Sequence, residues 1–121
     1  MLEFERVLLC FRQLSGCRED KLSEVVPLVM SAMKEVERKV DPAKLTENDV
    51  PACEYAAACG AVYDYVCREA GQDMMTVTAA GTADNSGDIS HRIKGAERLK
   101  AESLRRIEWL MKGEDFLFKT M

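Results

Sequence analysis

The side chains best equipped for chemistry in this 121-residue chain are five cysteines and one histidine. Cys10, Cys17, Cys53, Cys59 and Cys67 are odd in number and include no CxxC pair. A zinc site made from them would draw mostly on thiolates spread over two or three helices, whereas zinc ligands come as closely spaced pairs. Several of them read instead as small apolar core residues, as free cysteine commonly is, and they agree with a reducing compartment. His91 falls at a predicted helix start beside Arg92, with no serine or cysteine nucleophile nearby in sequence, and reads as a capping or surface residue. Asp84-Asn85-Ser86-Gly87-Asp88 has the composition of a calcium loop, yet it lacks the D-x-[DN]-x-[DN]-G register and the closing glutamate. Turn chemistry explains it better. Neither phosphate-binding glycine motif, GxxxxGK[ST] or GxGxxG after a strand, is present. The acid pairs Glu35/Glu37 and Asp84/Asp88 have spacings found on any solvated surface. The chain is therefore read as a non-enzyme with no catalytic, cofactor or metal residues.

With chemistry set aside, composition bounds the rest. Hydrophobic residues make up 47% and charged residues 31%, ordinary values for a globular protein. The length suits one domain, residues 1–121. No apolar run approaches the roughly 20 residues of a membrane helix, and the N-terminus carries acids early without a cleavage-site pattern. The expectation is a cytoplasmic chain with no membrane contact. Net charge is −4, unevenly spread. Residues 1–91 hold nine Lys+Arg against sixteen Asp+Glu, while residues 92–112 hold seven against three. A basic helix packed beside acidic ones explains this, as does head-to-tail association of copies through opposite charge. The negative total disfavours wrapping of the whole surface by duplex DNA.

The elements that would position these residues are helical. Phe4, Val7, Leu8, Phe11 and Leu14 recur at helical spacing over residues 3–14, and Gly16 ends that run. Asp20 or Ser23 can cap a second helix reaching about Val40, with Leu22, Val25, Val26, Val29, Met33, Val36 and Val40 on one face. Pro27 near its start requires either a strained first turn or a kink. Glu35 and Lys39 form an i,i+4 pair, and Asp41-Pro42 breaks the helix. Asp49 can cap a third helix with Pro51 in its first turn. Its stripe of Ala52, Tyr55, Ala56, Cys59, Val62, Tyr63 and Val66 is slim in the middle, where Gly60 costs about 1 kcal/mol against alanine. Close packing against a helix of this chain or of a neighbouring copy would offset that. Gly71 reads as its stop.

Residues 72–90 break the pattern. Met75-Thr76-Val77-Thr78 is strand-like, and Asn85-Ser86-Gly87 can close a loose hairpin onto Asp88-Ile89-Ser90. A connection of this length is usually mobile or functional, so it reads as a protruding arm that orders on a partner. Ser90 can cap a last helix over residues 91–112, with Ala96, Leu99, Ser103, Ile107, Leu110 and Met111 on one face and Glu102 paired with Arg106. Gly113 stops it, and the tail 113–121 carries Phe116 and Phe118, which should dock on this chain or a neighbour. The fold class expected is all-α: a small bundle of about four helices with a long irregular or hairpin-like arm between the last two. Met74 and Met75, at the mouth of the arm, are candidate contact residues.

This order of elements resembles the small helical head–tail connector proteins (head-completion or adaptor proteins) of tailed bacteriophages and prophages. The residues carrying the resemblance are the amphipathic Leu22 to Val40 run, Tyr55-Ala56-Ala57-Ala58-Cys59-Gly60-Ala61-Val62-Tyr63, and the Thr-Val-Thr-Ala-Ala-Gly stretch before Gly87-Asp88-Ile89-Ser90. Ala96-Glu97-Arg98-Leu99-Lys100 and Asp115-Phe116-Leu117-Phe118 complete it. The pattern spans roughly residues 20–118; the N-terminal helix with Cys10 and Cys17 has no counterpart in it. The resemblance implies a structural protein of the virion, made in the bacterial host cytoplasm. It implies a homo-oligomeric ring, commonly dodecameric, below the portal protein and joined to a tail-side connector protein, with DNA passing through without sequence-specific binding. A heterologous, ring-closing contact suits the polarised charge, arms that order on a neighbour suit the loop and tail, and a negative wall would not grip passing DNA. Under that reading Arg98, Arg105 and Arg106 are inter-subunit cations, Met74, Met75 and Val77 lie in the arm, and Phe116 and Phe118 anchor the tail. The competing class is a helical regulatory or protein-binding module, thiol-responsive through an exposed, acidic cysteine.

Overall fold

Apolar residues at three- and four-residue steps fold into four helices: α1 (Phe4–Ser15), α2 (Leu22–Lys39), α3 (Val50–Ala80) and α4 (Ser86–Arg106). This computed structural model describes residues 2–80 and 86–112, with side chains described for residues 2–71 and 89–112. The all-α class expected from periodicity is the fold observed, and no strand occurs among the described residues. The long helix α3, 31 residues and so about 46 Å, is the axis on which α1, α2 and α4 all pack.

The core follows the spacing. Val7 and Phe11 of α1, Val25, Val29, Ala32, Met33 and Val36 of α2, and Cys53, Ala56, Ala57, Ala58, Ala61 and Val62 of α3 are buried together with Ile107, Leu110 and Met111. Phe11 meets Tyr65 edge to face, centroids 5.5 Å apart at 83°. Burying each of the larger aliphatic side chains stabilises by about 1.5–3 kcal/mol. Between Cys53 and Val62 nearly the whole circumference of α3 is buried, which marks it as the central helix. Its small side chains let α2 approach: the position of a Cβ on Gly60 would lie 3.8 Å from the Ala32 Cβ. Gly60 is thus buried inside this chain, and the neighbour it serves is α2.

Helix ends are set locally. Gly16 adopts the left-handed conformation (φ 68°) and its N–H bonds the Arg12 carbonyl at 2.9 Å, ending α1 as expected. α2 departs from the expected caps. The chain enters it through a 3-10 turn, Glu19–Lys21, with neither Asp20 nor Ser23 capping by its side chain. Pro27 is then the sixth residue of α2 and has no N–H for the Ser23 carbonyl; both residues are exposed, so the helix carries its proline on its solvent side. Asp49 precedes α3, but its carboxylate turns back to accept from the Thr46 hydroxyl (2.7 Å) and Thr46 N–H (3.2 Å). Its own carbonyl accepts from the Cys53 N–H (3.2 Å).

The expected strand at Met75-Thr76-Val77-Thr78 is replaced by helix. Gly71 stays out of the left-handed region, so nothing stops α3 there, and α3 continues to Ala80. The β-branched residues in that stretch weaken a helix by only tenths of a kcal/mol each. The last helix also begins earlier than Ser90, at Ser86, and buried Ile89 extends its apolar face toward the N-terminus. Of the residues 72–90 expected to form an arm, 72–80 and 86–90 are helical; residues 81–85, Asn85 of the supposed hairpin turn among them, lie outside the described residues.

α4 ends at Arg106 and passes through a 3-10 turn, Glu108–Leu110, before a short clip closes the bundle. Val40 and Met111 pair as an isolated antiparallel bridge. The Asp41 N–H donates to the Leu110 carbonyl at 2.8 Å, and the Lys112 N–H donates to the Lys39 carbonyl at 2.9 Å. Lys44 Nζ adds a bond to the Met111 carbonyl at 3.4 Å. One of the free carbonyls at the end of α2 finds its partner there.

Candidate functional site

α4 sorts its cations by face. Those at the edges of its contact with α3 lie on tyrosines: Lys100 Nζ sits 5.0 Å from the Tyr63 ring centre, and the Arg106 guanidinium 5.8 Å from that of Tyr55. Arg106 therefore does not form the expected pair with Glu102, because the tyrosine ring takes its place. Lys94, Arg98 and Arg105 lie on the far side from the buried Ile89, Ala96, Ser103 and Ile107 and are exposed. None of the three has an ion-pair or hydrogen-bond partner among the described residues. On the other helices and loops the ion-paired cations are Arg6 with Glu3 and Glu54, Lys21 with Glu69 (3.5 Å), and Lys39 with Glu35 (3.3 Å), the last as expected.

Between α2, α3 and α4 the small side chains leave a pit of about 20 Å³, enough for one water. Ala32, Ala56 and Gly60 line it, with Glu35, Lys39, Asp64 and Lys100 around it. Burial pushes the Asp64 carboxyl above its ordinary range, Lys100 pulls it down and Glu35 pushes it further up. The pit is too small for an organic ligand.

The thiols sit in apolar surroundings. All five are free; Cys17, Cys53 and Cys59 are buried, and Cys10 and Cys67 half-buried. Burial pushes the Cys53 thiol up to about 11, with Asp49 and Glu54 adding to it. Cys10 is raised by burial and by Glu54. Cys59 is raised by burial, although hydrogen bonds with Ser103 and Tyr55 pull it back down. These three are shifted away from the thiolate that a redox sensor uses. Among the described residues no group of three or more His, Cys, Asp or Glu side chains is placed to hold a metal ion.

Two residues outside the sequence-based candidates stand out, Glu54 and Trp109. Glu54 is only 6% exposed, and its carboxylate accepts from the Glu3 N–H at 2.8 Å and from Arg6 Nε at 3.0 and 3.1 Å. It caps the positive end of α1 from α3. The signal was available: a charge inside an all-round apolar stretch of helix must be paired. Trp109, the sole tryptophan, is 59% exposed in the turn just before the clip. Its signal was its offset from the apolar spacing of Ile107, Leu110 and Met111.

Of the interface candidates, Arg98 and Arg105 share one open face and Arg106 is held on Tyr55. Met74, Met75 and Val77 have helical backbone in α3, but their side chains lie outside the described residues, and so do Phe116 and Phe118. The fold and surface together define a class, an all-α four-helix bundle with an open cationic helix face and an exposed tryptophan. Comparison with protein-family models, curated proteins and solved structures finds no match for the chain. No helix among the described residues is long and apolar enough to cross a membrane.

Proposed function

We propose that this chain is a structural assembly protein, a head–tail connector of a tailed phage or prophage that joins others of its kind and a portal protein. The observation that carries the assembly reading is Trp109. A side chain with so much apolar area is held in solvent on a turn fixed by the Asp41–Leu110 and Lys112–Lys39 bonds. Tryptophan is among the residues most enriched at the energetic centres of interfaces, and a rigid mount lowers the entropy cost of docking it. Exposed Leu9 and Met30 add apolar surface on α1 and α2. The resemblance in element order supplies the kind of assembly; it rests on the amphipathic α2, the Ala-rich middle of α3 and the basic α4, because the supposed flexible stretch before Gly81 is helical backbone.

Co-purification with the portal protein encoded beside this chain tests the reading. Binding should be retained by the wild type and fall at least tenfold in Trp109→Ala, with helicity by circular dichroism unchanged. A wild-type chain that fails to bind that portal, under conditions where the portal ring is intact, removes the connector assignment.

A further inference from the structure

The outward face of α4 joins Arg98 and Arg105, which the connector resemblance gives to inter-subunit contacts, to Lys94, and the row they form has a second use. Lys94, Arg98, Ala101 and Arg105 follow one another at steps of four, three and four, so they form a single row along the helix. At 1.5 Å per residue the cations span about 16 Å, with about 6 Å from Lys94 to Arg98 and about 10 Å on to Arg105. All four residues are exposed, and the small Ala101 keeps the middle of the row low. Glu97 and Glu102 flank the row on either side, and neither closes an ion pair with it.

A row this charged and this free of apolar side chains is a poor match for a protein partner. Protein interfaces centre on aromatic or aliphatic anchors and deplete charge at their cores. The exposed aromatic anchor of the chain's described residues, Trp109, lies beyond the end of α4. A phosphate backbone needs no apolar anchor: it is held by a line of cations, each neutralising a phosphate and releasing counterions. Arginine at two of the three positions suits the fork geometry of phosphate oxygens. The net charge of −4 does not oppose this, because screening confines each charge to within roughly 10 Å at ordinary salt. We infer that the Lys94–Arg98–Arg105 face of α4 binds the phosphate backbone of nucleic acid without regard to sequence. This goes beyond the connector assignment and does not depend on it.

The test is fluorescence anisotropy of the full chain with a labelled 20-nucleotide DNA duplex of mixed sequence, a scrambled duplex and the corresponding single strand. Saturable binding of both duplexes with equal affinity is expected. For three phosphates the affinity should fall with salt at a log–log slope of roughly −2.7, about 40-fold between 50 and 200 mM. Removing all three cations by Lys94→Ala, Arg98→Ala and Arg105→Ala together should weaken binding at least tenfold with an unchanged melting temperature. Glu102→Gln, which deletes a flanking negative charge, should strengthen it by about two- to threefold. Preference for the single strand over the duplex, lost in the triple variant, would equally support the inference, since both present the phosphate backbone. Equal binding by wild type and triple variant, no saturable binding at 50 mM salt, or preference for a polyglutamate peptide over DNA would each overturn the inference.

Discussion

Replacing Gly60 by alanine should stabilise the protein, although the residue is buried at the contact of two helices. The backbone term alone favours alanine by about 1 kcal/mol, since glycine loses more conformational freedom in a helix interior. The packing term decides the sign. A Cβ at position 60 would stand 3.8 Å from the Ala32 Cβ, ordinary van der Waals contact, and on the border of a pit that has room for a water. The methyl group therefore enters space that exists, and its contacts are attractive. The net expectation is a gain of about 0.5–1 kcal/mol. In urea unfolding this moves the midpoint upward by roughly 0.5 M at unchanged slope, and in a thermal scan it adds about 2–5 °C. Gly60→Val is the counterpart: a second and third carbon must displace Ala32 or Ala56, at a cost of about 1–3 kcal/mol. If Gly60→Ala instead destabilises by 1 kcal/mol or more, α2 and α3 lie closer than described and the argument from the pit fails.

Glu54→Ala strands the Glu3 N–H and frees Arg6, whose side chain is 55% exposed and can turn to water. A loss of about 1–2 kcal/mol is expected, with Glu54→Gln recovering part of it. Faster amide exchange confined to the first turn of α1 would locate the effect, and an alanine variant as stable as wild type would show that the staple contributes nothing. Stability should also fall in alkaline solution. The folded chain holds the Cys53 proton up to about pH 11 against an ordinary value of 9.0, and the Tyr65 hydroxyl up to about 12 against 10.0. The unfolded chain therefore releases these protons first, so the contribution of Cys53 is intact below pH 9 and lost as pH rises through 11. Urea midpoints measured from pH 8 to 11 should decline, and less steeply in Cys53→Ala; the same slope in both proteins would detach the effect from Cys53.

The sequence carried the helices through their apolar spacing, and it carried some of their ends: Gly16 closes α1, α2 stops at Lys39 just before Asp41-Pro42, and Pro51 falls in the first turn of α3. Val7 and Phe11, or Val25, Val29 and Val36, repeat at steps that only one secondary structure satisfies, so α1 and α2 were legible from residue types alone. The end of α3 was not. Gly71 and the β-branched Thr76, Val77 and Thr78 are weak local preferences, each worth well under the free energy of packing a helix, and the backbone carries on through them. Burial of Ile89 likewise moved the start of α4 ahead of Ser90. The candidate surface was legible in part. Counting charge singled out α4, but whether a given arginine meets water or a tyrosine depends on the turn of α4 against α3, which separates Arg105 from Arg106. Glu54 and Trp109 were visible as exceptions to an apolar pattern, and their partners lie too far along the chain to be read from it.

The clip between Lys39–Asp41 and Leu110–Lys112 also bears on when this protein can finish folding. The bonded residues stand about seventy positions apart, so the contact closes a loop that includes all of α3 and α4. On a ribosome, α1, α2 and the first half of α3 emerge with their mutual packing surfaces complete, whereas the Lys39 carbonyl must wait for Lys112. The nascent bundle is thus left open at one end until residue 112 has been made. Its closure is a long-range contact with its own entropy cost, which only the assembled core can offset. A chain arrested before residue 110 should expose Val40 to chaperones and proteases, and the mount that holds Trp109 would not yet exist.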